Sequence, residues 1–174
     1  LGVVAQFCYV GAQVGVASFF IRFSGQVAGI GEQDAAYLLS IGLLLFMAGR
    51  FIGTALMKWL TAARLLALCA VANLVLIAVA VAAGGYIAVG ALLGVELFMS
   101  IMFPTIFSLS IAGLGRDTKL GSSLLVMSIV GGAVVPPIMG AISDSNGIQF
   151  AYIAPMACFM VVLLFARKVE HQRA

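Results

Sequence analysis

The chain has 174 residues, of which 64% are hydrophobic and 9% are charged, and its mean hydropathy is +1.22. Soluble domains carry roughly 25% charged residues, so this composition excludes a water-soluble globular protein and indicates an integral membrane protein. The net charge of +3 is small and dispersed along the chain, which gives no reason to expect a nucleic-acid partner.

Apolar runs separated by short polar or glycine-rich turns predict six membrane-spanning helices. In chain order, we expect these helices over residues 3–23, 36–57, 65–83, 87–112, 122–142 and 150–166. Residues 24–34, 113–121 and 143–149 are predicted turns, and 167–174 a polar tail. The predicted fold class is an all-α polytopic membrane protein, with residues 1–174 forming a single six-helix domain.

Basic residues predict the orientation of these helices in the membrane. Arg22 is alone on one side, whereas the other side carries Lys58, Arg64, Arg116, Lys119, Arg167, Lys168 and Arg173. Positively charged residues favour the cytoplasm, so both chain ends are expected there. The first three and last three helices then run in opposite orientations, which is the geometry of an inverted 3+3 repeat.

The first predicted helix has a polar face made by Gln6, Tyr9 and Gln13. Amides and a phenol donate and accept hydrogen bonds, which suits a polyhydroxylated, uncharged substrate. Polar side chains also join membrane helices to one another, and both interpretations stay open. Gln13 is the better substrate candidate because it is nearer mid-span. Gly11 and Gly15 form a G-x-x-x-G pattern that suits close helix packing.

Glu96 is the only carboxylate predicted inside a span. A charged acid near mid-membrane costs about 2.5–3.5 kcal/mol on insertion scales, so it must be protonated, paired or facing a wet cavity. Ser100, Phe103 and Phe107 follow it on the same helical face. The alternative is that Glu96 lies near the outer boundary and extends its carboxylate to the interface.

Helix-breaking residues interrupt the fourth and fifth predicted helices. Pro104 removes a backbone donor in the fourth helix, and Pro136 and Pro137 do so in the fifth. Gly131 and Gly132 make the fifth helix locally deformable. These five residues are hinge candidates lining a pathway, and the alternative is a static kink that improves packing.

No motif for covalent chemistry is present in the sequence. His171 is the single histidine and is expected to be solvated in the tail, so a Ser/His/Asp set is absent. A phosphate-binding G-x-x-x-x-G-K-[ST] loop and a Cys/His metal cluster are absent too. Cys8, Cys69 and Cys158 are interpreted as small packing residues. We therefore expect no enzyme activity, no cofactor and no metal.

Several segments resemble the fucose–galactose–glucose proton symporters of the major facilitator superfamily. These are residues 5–15 (AQFCYVGAQVG), 100–109 (SIMFPTIFSL), 121–128 (GSSLLVMS), Gly131–Gly132 and 139–144 (MGAISD). Residues 49–53 (GRFIG) followed by Lys58 resemble the superfamily's cytoplasmic loop motif. The resemblance covers nearly the whole chain and matches helices seven to twelve, which is the carboxy-terminal half of a twelve-helix transporter.

This resemblance implies proton-coupled symport of a neutral sugar by alternating access in the cell (inner) membrane. The implied partners are a sugar, a proton, the lipid bilayer and an amino-terminal six-helix half that is missing here. A sugar cavity would be lined by the first, fourth and fifth helices, with Gln13, Glu96 and Phe103 as contacts. Arg50, Lys58 and Asp117 would latch a cytoplasmic closed state. The family's proton-coupling acids lie mainly in the amino-terminal half, so no such role passes to Glu96.

Two other functions stay open at the level of sequence. In a facilitator or antiporter for drug-like cations, Glu96 would pair with the charge of the substrate. A truncated, non-transporting membrane domain would merely pack with other membrane proteins.

Overall fold

The computed structural model describes residues 1–173 and is helical almost throughout. Six helical units are long and apolar enough to cross a membrane, and no β-strand occurs in residues 1–173, which confirms the predicted fold class. The first three units are the single helices α1 (Gly2–Ala28), α2 (Glu32–Leu56) and α3 (Ala62–Ala82). The other three are interrupted and consist of α4 (Gly85–Met99) with α5 (Met102–Ile111), α6 (Thr118–Met127) with α7 (Gly131–Asn146), and α8 (Ile148–Ala151) with α9 (Ile153–Arg173).

The turn predicted over residues 24–34 is too long, because α1 continues to Ala28. The Ser24 hydroxyl donates a 2.8 Å hydrogen bond to the Phe20 carbonyl and remains inside the helix. Gly29 ends α1 in the left-handed conformation (φ 66°), which glycine adopts without strain. Glu32 and Asp34 lie in the first turn of α2, where carboxylates favour the positive end of the helix dipole.

The polar tail predicted over residues 167–174 is also wrong, because α9 remains helical to Arg173. Ala174 lies outside the described residues. The Arg64 Nε donates a 2.8 Å hydrogen bond to the Glu170 carboxylate, which ties this part of α9 to the start of α3. His171 is exposed, as predicted, but on a helix. The turn predicted over residues 143–149 is too long, because only Gly147 lies between α7 and α8. Gly147 has a φ of 95°, which ends α7.

Helix α1 is the centre of the bundle, and glycines set its distance from α7. A Cβ atom at Gly11 would overlap with the Val135 side chain, and one at Gly15 would lie 2.5 Å from the Met139 sulfur. The close packing predicted for this G-x-x-x-G pair is confirmed. A second such pair, Gly49 and Gly53, brings α2 against the junction between α4 and α5.

Pairs of contacts at the two ends of the bundle define how the helices run. Arg64 meets Glu170 at one end of α3, and the Gln149 side chain donates a 2.7 Å hydrogen bond to the Ala83 carbonyl at the other. Helix α3 and the α8–α9 unit are therefore antiparallel neighbours. At the end that carries Gln149, Arg22 of α1 forms a 3.3 Å ion pair with Asp144 of α7.

Candidate functional site

The fourth span is broken where proline removes a backbone donor. Pro104 has no N–H to donate to the Ser100 carbonyl four residues earlier. Helix α4 accordingly ends at Met99, Ser100 and Ile101 form a turn, and α5 begins at Met102. The interruption predicted from Pro104 is confirmed, and it leaves backbone carbonyl groups that need other donors.

Tyr9 of α1 supplies one of those donors. Its hydroxyl donates a 2.7 Å hydrogen bond to the Met99 carbonyl at the end of α4, and its side chain is fully buried. The Tyr9 and Phe103 rings are tilted by 59° with centroids 6.3 Å apart. In this conformation Tyr9 joins helices, which is one of the two roles that its position on a polar face allowed.

Hydroxyl groups around the break bond to nearby carbonyls. The Ser100 hydroxyl donates to the Leu97 carbonyl at 2.7 Å, and the Thr105 hydroxyl donates to the Ile101 carbonyl at 2.7 Å. On the other side of α5, the Asn73 amide of α3 lies 3.2 Å from the Met102 sulfur. Asn73 thus connects α3 to α5.

Gln6 is buried next to this network but is not joined to it. Neither its Nε2 nor its Oε1 forms a hydrogen bond within residues 1–173. The Ser110 hydroxyl on α5 is likewise buried and unbonded in this part of the chain, and it lies beside Gly2, one helical turn before Gln6. An unsatisfied buried polar group costs about 1–3 kcal/mol, so these two side chains are poised to accept another partner.

Glu96 is buried in the last turn of α4, close to the middle of the fourth span. At about 1.5 Å per residue, it lies about 16 Å from Gly85 at the start of the helix, roughly half of the bilayer's hydrocarbon thickness. Its side chain faces Gly42 of α2 and is only 2% exposed, and its Oε1 accepts no hydrogen bond from residues 1–173. This burial argues against a carboxylate that extends to the interface.

The remaining substrate candidates lie closer to the surface of the bundle. Gln13 is half-buried one turn beyond Tyr9, and Phe103 and Phe107 are half-buried on α5. The structure thus separates the seven candidates into a buried group, Gln6, Tyr9, Glu96 and Ser100, and an accessible group, Gln13, Phe103 and Phe107. Tyr9 connects the two groups through its contact with Phe103.

The fifth span is interrupted just before its glycine pair. Residues Ser128–Val130 form a turn of 3₁₀ helix between α6 and α7. A Cβ atom at Gly131 would overlap with the Phe7 carbonyl oxygen of α1, and one at Gly132 would lie 2.9 Å from the Val14 side chain. Pro136 and Pro137 stay inside α7. The glycine pair therefore provides close contact with α1 at the interruption.

The three gate candidates are exposed and separate. The Arg50 guanidinium lies 5.3 Å from the centroid of the Phe46 ring, one turn back along α2. Lys58 follows α2, and Asp117 lies in the 3₁₀ turn Gly115–Asp117 before α6. Within the described residues, these three side chains form no ion pair with one another.

Sequence reasoning missed two contacts at the core. The Tyr152 side chain is fully buried, its hydroxyl lies 3.5 Å from the Val16 carbonyl of α1, and its ring meets Phe23 edge-on at 4.9 Å. Neither pair has a spacing that would reveal it. No group of three metal-ligating side chains occurs in residues 1–173.

The chain resembles solved and curated transporters over nearly its whole length, although no protein-family model matches it. The glucose/galactose transporter of Brucella abortus (strain 2308) is 43% identical over 167 residues, which are 95% of this chain and 40% of the relative. The L-fucose-proton symporter of Escherichia coli (strain K12) is 44% identical over 167 residues, covering 95% and 38% respectively. The chain thus spans about 40% of the length of these relatives.

The crystal structure of the major facilitator superfamily transporter FucP in the outward conformation superposes with a TM-score of 0.94. The two sequences are 43% identical, and the superposed region covers 97% of this chain and 41% of the FucP chain. The fold is therefore that of a six-helix portion of a major facilitator transporter, and its relatives are transporters, not enzymes. The chain is similar to glucose/galactose transporters and L-fucose-proton symporters over 95% of its length and matches the carboxy-terminal part of these relatives. The family resemblance noted in the sequence is confirmed.

Proposed function

We propose that the chain supplies the carboxy-terminal half of a proton-coupled symporter for a neutral sugar, with residues 1–174 as one six-helix domain. An amino-terminal six-helix half would complete the transporter. The observation that carries this proposal is the broken fourth span, where polar and aromatic side chains of α1 and α5 lie beside interrupted backbone. Interrupted helices near the bilayer midplane are typical of substrate sites in transporters.

The proposed sugar site has two layers. Gln13 provides an amide that donates and accepts hydrogen bonds with sugar hydroxyls, and the Phe103 and Phe107 rings cover apolar faces of the sugar. The buried layer is formed by Gln6, Tyr9, Glu96 and Ser100. This layer is supported by the Tyr9–Met99 hydrogen bond, which holds α1 against the break and keeps the Tyr9 ring packed beside the Phe103 ring.

Alternating access would use the two interrupted spans. The proposed hinges are Pro104 in the fourth span and Gly131, Gly132, Pro136 and Pro137 in the fifth. Both interruptions contact α1, so movement in either span would change the cavity wall. Arg50, Lys58 and Asp117 would form the cytoplasmic latch, because they are exposed and unpaired with one another in this conformation.

We place the protein in the inner membrane with both ends of this chain in the cytoplasm. The basic residues cluster at the end of the bundle where Arg64 meets Glu170. Trp59, beside Lys58, is 80% exposed at that end, as expected of a residue at the membrane–water boundary.

Uptake by the full-length protein in proteoliposomes tests the proposal. We expect labelled hexose or fucose to accumulate when an inward proton gradient is imposed, and Gln13→Ala to reduce that uptake. Gln26→Ala is the matched control, because Gln26 is an exposed amide on the same helix near its far end. Absence of uptake for every neutral sugar tried, with or without the gradient, would refute the proposal.

A facilitator for drug-like cations is the second candidate, and Glu96 is the observation that favours it. The carboxyl group has no cationic partner within the described residues, which a substrate charge would provide. Its 2% exposure and its position against Gly42 argue against direct contact with a substrate in this conformation. Loss of cation efflux in Glu96→Gln would support this candidate over the sugar symporter.

A further inference from the structure

A groove runs between α3 and α9 on the membrane-facing side of the bundle. Its volume is about 340 Å³. Its deeper part is apolar and is lined by Leu68 and Val71 of α3 and Leu163 of α9, whereas its end carries Arg64, Arg167 and Glu170. No residue of this groove belongs to the proposed sugar site, hinges or latch.

The charged end of the groove lies at the depth of lipid headgroups. Arg64 is in the first turn of α3, and Trp59, five residues earlier, is 80% exposed beside Lys58. Tryptophan next to basic residues marks the membrane–water boundary. The side chains of Leu68 and Val71, one and two turns further along α3, are exposed and point away from the core at acyl-chain depth.

The arrangement of charges suits a phosphate group. The Arg64 Nε donates a 2.8 Å hydrogen bond to the Glu170 carboxylate, which orients the guanidinium and leaves its terminal NH₂ groups free for another acceptor. Arg167 is exposed and forms no ion pair within residues 1–173. The two arginines and one glutamate give this end a net positive charge, and guanidinium groups bind phosphate with paired hydrogen bonds.

A second depression lies on the other side of α3 at the same depth. It is an apolar cavity of about 200 Å³ between α2, α3 and the fourth span, lined by Ile52, Leu56 and Phe98 among others, and its inner end reaches Ser100 of the buried layer. Leu60 and Leu68 border both it and the groove. Two apolar depressions therefore flank one basic end, which matches a ligand with one anionic head and two hydrocarbon chains.

We propose that this surface binds an anionic glycerophospholipid. Its phosphate contacts Arg64 and Arg167, one acyl chain lies along Leu68, Val71 and Leu163, and the other occupies the cavity across α3. Basic pockets between membrane helices at the cytoplasmic side are suited to anionic lipid headgroups. A protein helix is a poorer match, because it would leave the guanidinium groups without an anionic partner at this depth.

Native mass spectrometry of the purified full-length protein with added phosphatidylglycerol or phosphatidylcholine of identical chains tests the proposal. We expect phosphatidylglycerol to be retained in preference. Each of Arg64→Gln and Arg167→Gln should weaken its binding about fivefold, since one basic residue near a membrane surface contributes about 1 kcal/mol to anionic lipid binding. Arg116→Gln removes an exposed arginine elsewhere and should leave binding unchanged.

Equal retention of the two lipids, or an equal loss in Arg116→Gln, would overturn the proposal. A photoactivatable phosphatidylglycerol provides a readout on the unmodified protein. It should label peptides that contain Leu68, Val71 or Leu163. Labelling confined to other segments, or a cross-linked second copy of the chain covering the groove, would equally overturn it.

Discussion

The Tyr9 hydroxyl donates a 2.7 Å hydrogen bond to the backbone carbonyl of Met99, 90 residues further along the chain. Met99 is the last residue of α4, next to the turn that Pro104 imposes on the fourth span. A buried carbonyl at such a break needs a donor, and Tyr9 brings one from α1. The central helix thereby holds the interrupted span in place.

Tyr9→Phe should destabilise the protein by about 1–3 kcal/mol, because the Met99 carbonyl stays buried and loses its donor. The measurement is thermal unfolding of the full-length protein in detergent. Tyr86→Phe is the control: Tyr86 is 75% exposed at the start of α4, and its hydroxyl forms no hydrogen bond within the described residues. Equal effects of the two substitutions would contradict the role of Tyr9.

Gly131→Ala should destabilise the bundle by about 1–3 kcal/mol, the usual cost of overpacking. Its added methyl group would overlap with the backbone carbonyl of Phe7, which cannot move without shifting α1. Gly90→Ala is the matched helical control, because nothing lies within 4 Å of a Cβ atom there. Gly90→Ala should leave the stability of the protein unchanged or raise it, because alanine stabilises a helix relative to glycine. The same unfolding assay compares the two variants.

Local patterns predicted the elements of this fold because their causes lie within short stretches of sequence. Hydropathy set the number of spans, Pro104 set the break in the fourth, and Gly11 and Gly15 set the approach of α1 and α7. Helix ends were less accurate. Ser24 and the charged residues after Ala166 resemble turn and tail residues, yet both segments are helical. The Ser24 hydroxyl bonds to the Phe20 carbonyl within α1, and Glu170 pairs with Arg64 from within α9.

The arrangement of the candidate site was only partly predictable. Helical spacing placed Gln6, Tyr9 and Gln13 on one face but gave no information about which helix that face meets. From the sequence alone, Tyr9 could either bind sugar or join helices. Its hydrogen bond to Met99 shows that it joins α1 to α4 in this conformation. Glu96 could be assigned to a span, but its burial against Gly42 depends on how α2 and α4 pack.

Pro104→Ala tests whether the break in the fourth span is a working hinge. Alanine restores the N–H that can bond to the Ser100 carbonyl, so the helix should become continuous and the folded state at least as stable. Sugar uptake should fall, because a continuous helix bends less readily. Pro155→Ala is the control, since Pro155 lies in the first turn of α9, where its missing N–H is not needed. Unchanged uptake in Pro104→Ala, measured beside normal thermal stability, would identify the break as a static kink.

Glu96→Gln separates the sugar symporter from a transporter that uses this acid directly. Glutamine keeps the size and polar atoms of a neutral carboxyl group, so the packing against Gly42 should survive and stability should be unchanged or higher. A mid-membrane charge costs about 2.5–3.5 kcal/mol on insertion scales, and glutamine avoids it. Because Glu96 is 2% exposed and Gln13 and Phe103 are more accessible, neutral sugar should still accumulate under a proton gradient.

Two measurements in the same proteoliposome assay distinguish the possible roles of Glu96 in transport. Accumulation against a gradient reports coupling to protons, and exchange of labelled for unlabelled sugar reports binding and alternation alone. If Glu96→Gln keeps exchange but loses accumulation, the acid carries a coupling proton and the expectation fails. If both are lost while thermal stability is normal, Glu96 contacts the substrate during transport, which would require α2 to move away from Gly42.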